Sequence, residues 1–574
     1  MTPGREHGFE LRGLQRTITA TRVDNVVAAL AEAEAASAGG AWVAGFVAYE
    51  AAPGLSDDFV VVPGHRPSNE PLVWFGVFDR RMEVEPVRAP AGVGHRLGPF
   101  APTLGPQRHH EAVIAIRDGI ADGDVYQVNL TDRLVASFDG DPFALYATMA
   151  AAQRGAYNAY LDIGDLVVAS VSPELFVRRD GDRLVMRPMK GTAARGRWAE
   201  DDLARAAALR STLKERAENV MIVDLVRNDL AHAGGFVTVD ELFAVEQYPT
   251  VWQMTSQVSA TGGGHLSLVS LFRALFPSGS VTGAPKISAM RRIASLEAGP
   301  RGIYCGAVGF IAPGGDFCFN VAIRTAVYER STGVVTYGSG GGITWDSSAT
   351  AEHAELVMKT RVVRGAHPPP DLFETMRWTP DEGVAWLDDH LSRLQSSARY
   401  FGIPFDRAEA ESLVKAISAP DAPQRVRLVL WADGHLSTSV AVAPGGADGP
   451  VRLAVDTTAP IASADARWFH KTVERSRYDD RRRRFAAAGV DDIVLVNEAG
   501  EVTETTIANL AVSIDGVWYT PPLSSGCLPG VFRARAVREG RVVERVMTVR
   551  DLRRADGVAV MNALRGWRPA ILLP

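Results

Sequence analysis

Cysteine is nearly absent. Cys305, Cys318 and Cys527 are the only three in 574 residues, and no two form a CxxC pair. A disulfide framework or a zinc site needs more thiols at closer spacing, so neither is expected, and a reducing compartment is. No run of about 18 apolar residues occurs, which excludes a membrane-spanning helix of ordinary length. The first residues lack a basic stretch followed by an apolar core, so a cytoplasmic protein is expected. Basic excess is also missing: the formal net charge is -6, which argues against nucleic acid and against acidic membranes as partners. The one dense basic run, Arg481 to Arg484, has no interleaved aromatics and reads as a solvated helix face.

What is present is an ordinary globular composition, 46% hydrophobic and 22% charged, in a chain too long for a single core. At RVVRGAHPPPD, 361–371, three consecutive prolines end a helical pattern and make a stiff spacer. This places one domain at 1–362, a linker at 363–371 and a second domain at 372–574. No internal repeat relates the halves. The pattern predicts a mixed α/β (α+β) chain. In the first half it predicts a helix over 24–38, strands over 159–192 with a turn at Asp180-Gly181, and one long amphipathic helix over 199–231. A strand over 317–328 would carry Arg324, and a glycine-rich loop at 340–342 would precede a helix over 348–361.

Two groups of residues carry chemistry. In RPMKGT, Lys190 sits at the predicted end of a strand, where a scaffold can aim it. A lysine acts as a nucleophile only when neutral, which near pH 7.4 costs about 4 kcal/mol from its ordinary pKa, and burial lowers that cost. Glu352 and Glu355 share a helix face at i, i+3 spacing, and Glu218 lies on another helix. Carboxylates converging from two helices need a cation between them, and Mg²⁺ with its oxygen ligands suits the task. The glycines at 340–342 let backbone N–H groups approach an anion, and Arg324 offers a fork to a second carboxylate. In the second half Lys471, a carboxylate at Glu504, and a helix opening at Val531 and Phe532 after a glycine are the parts of a pyridoxal phosphate site. Arg393 supplies the counter-charge to the phosphate.

The segments SPELF, RPMKGT, AENVMIVDLVRNDL, FPSGSVTGAPK, RGIYCGAVGF, FNVAIRT and GSGGGITWDSSATAEHAELVMKT, spread over 45–362, resemble the chorismate-utilising family. The resemblance implies stacked antiparallel sheets and Mg²⁺ on Glu218 and Glu355 with Glu352 close by. It also implies chorismate carboxylates bound by Tyr304, Arg324 and the amides of Gly341 and Gly342, and Glu174 as general acid/base. Lys190 discriminates within the family: anthranilate synthases carry alanine there, and the aminodeoxychorismate synthase branch carries a lysine that bonds covalently to the substrate. One departure is Gln253, where many relatives have histidine; glutamine hydrogen-bonds but carries no proton at neutral pH.

The pieces LFETMRW, HLSRLQSSARYFG, HKT, NEAGEVTETTIANL, PPLSSGCLPGVFR and MNALRG resemble the fold-type IV pyridoxal enzymes. By that resemblance Lys471 holds the cofactor and shuttles a proton, Glu504 meets the ring nitrogen, and Thr375 is a proton donor. These members usually begin with an extra strand before the FET segment, which is missing here, so the small subdomain is either trimmed or completed by a second copy in a homodimer.

Joined, the halves imply a route to 4-aminobenzoate for folate: chorismate is aminated with ammonia, and pyruvate is then eliminated. No cysteine is placed for a glutaminase, so a separate amidotransferase subunit, or free ammonia, is the expected nitrogen source. The rival expectation is an anthranilate or salicylate synthase with a non-catalytic, dimerising second domain.

Overall fold

The computed structural model describes residues 8–64, 70–85, 87, 94–365, 369–417, 422–445, 449–485 and 489–573. The middle of the expected linker, 366–368, lies outside the described residues, as does the end of the basic helix at 486–488. The chain forms two compact units, Met1–Ala194 with Ala206–His367, and Arg195–Arg205 with Pro368–Pro574.

Among the described residues the first unit is built on a ten-stranded and an eight-stranded sheet, every strand pair of which is antiparallel. Phe46 and Val308 of the larger sheet pack against Val168 and Val327 of the smaller, so the two sheets are stacked face to face. The outer face of the larger sheet is covered by Val26–Ala38, Leu213–Ala233 and Leu268–Leu275, with Phe176, Phe272, Phe276 and Phe319 buried between. Each such side chain contributes roughly 1.5–3 kcal/mol by leaving water. Pro142–Gln153 and Leu356 cover the outer face of the smaller sheet.

Several elements differ from their sequence reading. The helix expected over 199–231 is two, Ala199–Ser211 and Leu213–Ala233, interrupted at Thr212, whose extended backbone caps the second. Its front part, up to Arg205, belongs to the second unit, where the Tyr400 hydroxyl donates to the Gly196 carbonyl at 2.8 Å. Arg324 is not on a strand: Phe317–Val321 and Thr325–Glu329 belong to different sheets, and Arg324 turns the chain between them at φ 52°. A β-branched run reads as one continuous strand, but a non-glycine residue in left-handed backbone is held only by its tertiary surroundings. The glycine run is likewise no loop. It lies within the strand Val334–Ile343, which pairs with Gln127–Gly140 throughout but with Thr325–Glu329 only up to Tyr337, so its other edge is open from Gly338 onward.

Among its described residues the second unit has a four-stranded sheet that includes Leu372–Thr379 and Gln424–Leu430, and an eight-stranded sheet of mixed direction that includes Val502–Thr505. The helix Leu387–Phe401 packs Leu391, Leu394 and Ala398 on the smaller sheet.

Candidate functional site

In the first unit a cavity of about 250 Å³ collects side chains from segments far apart in sequence. Lys190, Glu174, Tyr304 and Arg324 line it, as do Glu218, Glu352, Glu355, Gly341 and Gly342. Lys190 is the second residue of the strand Met189–Ala194; the preceding strand stops at Arg187, and Pro188 separates the two. Burial pushes the Lys190 ammonium below the ordinary lysine value. Lys359 adds to this effect, while Glu174, Glu218 and Glu355 oppose it.

Glu174 is buried at 3% exposure and accepts a hydrogen bond from the Ser280 hydroxyl at 2.5 Å. Burial raises its carboxyl to about 7, against the pull of Ser280 and Lys190. A carboxyl poised near neutrality can both give and take a proton.

Glycine is required at two positions of the open strand edge. A Cβ on Gly338 would stand 2.1 Å from the Tyr304 ring, and one on Gly342 would stand 2.8 Å from Lys190 Nζ and 2.2 Å from Gln127 Nε2. The Tyr304 ring therefore lies flat on one glycine and the Lys190 amine abuts another. Arg324 donates from Nη1 to the Lys359 carbonyl at 3.1 Å.

The carboxylates offer only oxygen donors, the set a hard dication takes. Burial and like charge raise Glu218 and Glu352, whereas for Glu355 burial is overcome by Lys359, 2.8 Å away, which holds it below the usual range. Among the described residues no group of three or more His, Cys, Asp or Glu is drawn close enough to hold a metal ion as it stands. The donor chemistry fits Mg²⁺, with Glu355 turned onto Lys359.

Sequence reasoning missed several lining residues. Glu215 also faces the cavity, and its i, i+3 spacing to Glu218 repeats that of Glu352 and Glu355, a signal that was available. Lys359 also had a signal, one turn beyond Glu355. Gln127, which lies behind the lining against Gly342, had none: it is 1% exposed, and neither amide atom has a hydrogen-bond partner among the described residues.

In the second unit Lys471 follows the short helix Ala466–Phe469, and its Nζ lies 4.7 Å from the Phe373 ring centroid. Burial pushes its pKa down to about 7; Arg393 and Arg475 push the same way, and Glu374 and Glu504 oppose them. Glu504 is buried and accepts from the Tyr478 hydroxyl and the Leu528 N–H, both at 3.0 Å, and burial raises its carboxyl to about 7. Val531 and Phe532 open the helix Val531–Arg538 behind Gly530. Arg393 donates to the Pro529 carbonyl at 3.1 Å, which fixes its guanidinium beside that helix start. The same guanidinium is gripped by Glu374 at 2.8 and 2.5 Å, and the His390 ring lies 2.8 Å from that carboxylate. Glu374 was not anticipated; burial alone would raise it, but Arg393 and His390 hold it well below the usual carboxylate range. Thr375 lies half-buried on Leu372–Thr379, paired with Arg427 on the neighbouring strand. A near-neutral lysine, a buried carboxyl and a helix start with an arginine beside it fit pyridoxal phosphate.

Residues 85–365 match the family described as chorismate binding enzyme, and residues 371–572 match amino-transferase class IV. The chain carries one domain of each. Over the chorismate-binding domain the chain is 39% identical to aminodeoxychorismate synthase component 1 of Salmonella typhimurium along 248 residues, which cover 43% of this chain and 54% of that one. It is 36% identical to anthranilate synthase component 1 of Neisseria gonorrhoeae along 280 residues, covering 48% of this chain and 57% of that one. The chain thus spans about half the length of the curated relatives it matches. The crystal structure of anthranilate synthase component I from Streptococcus pneumoniae aligns with a TM-score of 0.55 at 24% identity, covering 63% of this chain and 93% of that one, a likeness of fold. Relatives of both kinds lie at similar identity, so the choice between them falls to the site. No helix among the described residues is long and apolar enough to cross a membrane.

Proposed function

We propose that the chain makes 4-aminobenzoate in two steps, first aminating chorismate to 4-amino-4-deoxychorismate and then releasing pyruvate. The observation that carries this proposal is the half-buried amine of Lys190, lowered by burial and set among carboxylates in a cavity of about 250 Å³.

In the first step Arg324, Tyr304 and the N–H groups of Gly341 and Gly342 bind the two substrate carboxylates. Glu218, Glu352 and Glu355, with Glu215 beside them, would hold Mg²⁺, which would supply positive charge to a substrate carboxylate. The neutral Lys190 amine bonds to C2, the ring double bonds shift, and the C4 hydroxyl takes a proton from Glu174 and leaves as water. Lys190 passes one proton to the Glu174 carboxylate in becoming a secondary amine, and the proton that the ammonia nitrogen later sheds returns to Lys190. Ammonia then bonds to C4, the double bonds shift back, and the C2–N bond breaks to return Lys190. Splitting one displacement into two in this way is what a covalent nucleophile achieves.

In the second step Lys471, Glu504, Arg393 and the N–H groups of Val531 and Phe532 would hold pyridoxal phosphate, which would supply an electron sink. Lys471 takes the proton from the ring carbon that bears the amine. The bond from C3 to the enolpyruvyl oxygen breaks, Thr375 delivers a proton to the methylene carbon, and pyruvate leaves an aromatic ring behind.

The name component 1 borne by the Salmonella relative supports a separate amidotransferase subunit as the ammonia source. The proposal includes a cytoplasmic setting, the domain division at 362 and 372, and pairing of copies through the second domain. Incubating the purified chain with chorismate and ammonium, with and without pyridoxal phosphate, tests it by product mass. 4-Aminobenzoate with the cofactor and 4-amino-4-deoxychorismate without it are expected; anthranilate or salicylate would refute it.

A further inference from the structure

The strand that carries Lys190 is irregular at the lysine itself. Its pairing with Val251–Thr261 runs from Met189 opposite Thr255 to Thr192 opposite Gln253, three steps against two, which leaves Lys190 and Gly191 out of the paired ladder as a bulge. Gly191 takes φ 96°, and a Cβ there would stand 3.0 Å from Glu215 Oε2, so the bulge depends on glycine. Such bulges re-aim a side chain, but they also release backbone groups that need partners.

Both carbonyls at this bulge are taken by side-chain amides. Asn219 Nδ2 donates to the Lys190 carbonyl at 3.3 Å, and Gln253 Nε2 donates to the Gly191 carbonyl at 2.9 Å. Each amide is itself oriented by a hydroxyl: Ser256 donates to Asn219 Oδ1 at 2.6 Å, and Thr192 donates to Gln253 Oε1 at 3.1 Å. Asn219 is buried at 1% exposure, whereas Gln253 lines the cavity with Lys190.

We infer that Gln253 is a positioning residue for Lys190, its amide clasping the bulge from which the lysine reaches the substrate. The inference rests on the lysine chemistry proposed above. It gives a role to a side chain that carries no proton at neutral pH and so takes no part in acid/base exchange. A glutamine meets both demands of the site, one donor for Gly191 and one acceptor for Thr192. Glutamate keeps the length and the acceptor but, when ionised, loses the donor.

The test mixes enzyme and chorismate without ammonia, quenches at short times and reads intact protein mass. Wild type gains the mass of chorismate less one water, on Lys190. Gln253→Ala and Gln253→Glu form this adduct on the order of tenfold more slowly, as expected for a displaced reacting atom. Chorismate affinity, read by protein fluorescence, stays within about twofold because the binding groups are untouched. Thr192→Val, which frees Gln253 Oε1, shows a smaller loss. Adduct formation at the wild-type rate in both Gln253 variants overturns the inference, as does a parallel loss of affinity and melting temperature, which would mark a merely structural residue. If wild type itself forms no adduct, the covalent lysine step fails, and ammonium-dependent turnover then decides for Gln253. A fall in kcat at unchanged chorismate KM supports it, and an unchanged kcat overturns it.

Discussion

Lys190 and Lys471 are both half-buried, and burial is the first cause that lowers each below the ordinary lysine value, but the charges around them differ. Around Lys190 the carboxylates Glu174, Glu218 and Glu355 pull its proton back on, and Lys359 opposes them. Around Lys471 two arginines, Arg393 and Arg475, stand against two carboxylates, Glu374 and Glu504, and with burial the result is about 7. At the second lysine, cations the protein supplies add to burial. The first stands among the side chains proposed to hold a dication, and its main chain is clasped by amides. The same residue type is lowered by burial at both sites, against a mostly acidic surround at Lys190 and within a mixed one at Lys471.

Replacing the lysines separately breaks the comparison most sharply. Lys190→Ala should lower formation of 4-amino-4-deoxychorismate on the order of 10³-fold or more while leaving pyridoxal phosphate uptake, read by visible absorbance, unchanged. Glu174→Gln should cost roughly 10²-fold or more in the same step with chorismate affinity retained, because only the proton is lost. A Glu174→Gln enzyme at full rate would remove the acid from the scheme.

The electrostatic contrast has its own readout. A lysine captures pyridoxal phosphate only when neutral, and the neutral fraction grows as pH rises through the folded-state pKa. The uptake rate should therefore climb with pH and level off above about 7, not near the ordinary lysine value. Removing a charge that lowers this pKa, as in Arg475→Gln, should move the midpoint to higher pH; an unmoved midpoint would show that burial alone sets it. The smallest effect expected is structural. Gly338→Ala forces a methyl group against the Tyr304 ring at 2.1 Å and should cost about 1–3 kcal/mol in a denaturation midpoint, with weaker chorismate binding.

Much of this was legible in the sequence. Helix periodicity placed Glu352 and Glu355 on one face, and a tight turn joins the strands Leu175–Asp180 and Arg183–Arg187 as read, but on Gly181 and Asp182, one residue later than the expected pair. Arg324 was assigned to the right site but to the wrong backbone, because the sequence NVAIRT contains nothing that marks a change of sheet. The glycines at 340–342 were taken for a loop because glycine weakens strands. They form one because Gln127–Gly140 pairs with them, and they are needed because a tyrosine ring and a lysine amine lie against the strand. Gln127, Asn219 and the clasp of Gln253 carry no local signal, since an amide's role depends on which backbone group a fold brings to it.

The central claim is that two lysines act in sequence on one carbon skeleton. The most direct measurement is the product mass made by Lys471→Ala enzyme from chorismate and ammonium in the presence of pyridoxal phosphate. Accumulation of 4-amino-4-deoxychorismate with no 4-aminobenzoate is predicted. Unchanged 4-aminobenzoate output, or anthranilate in its place, would contradict the account.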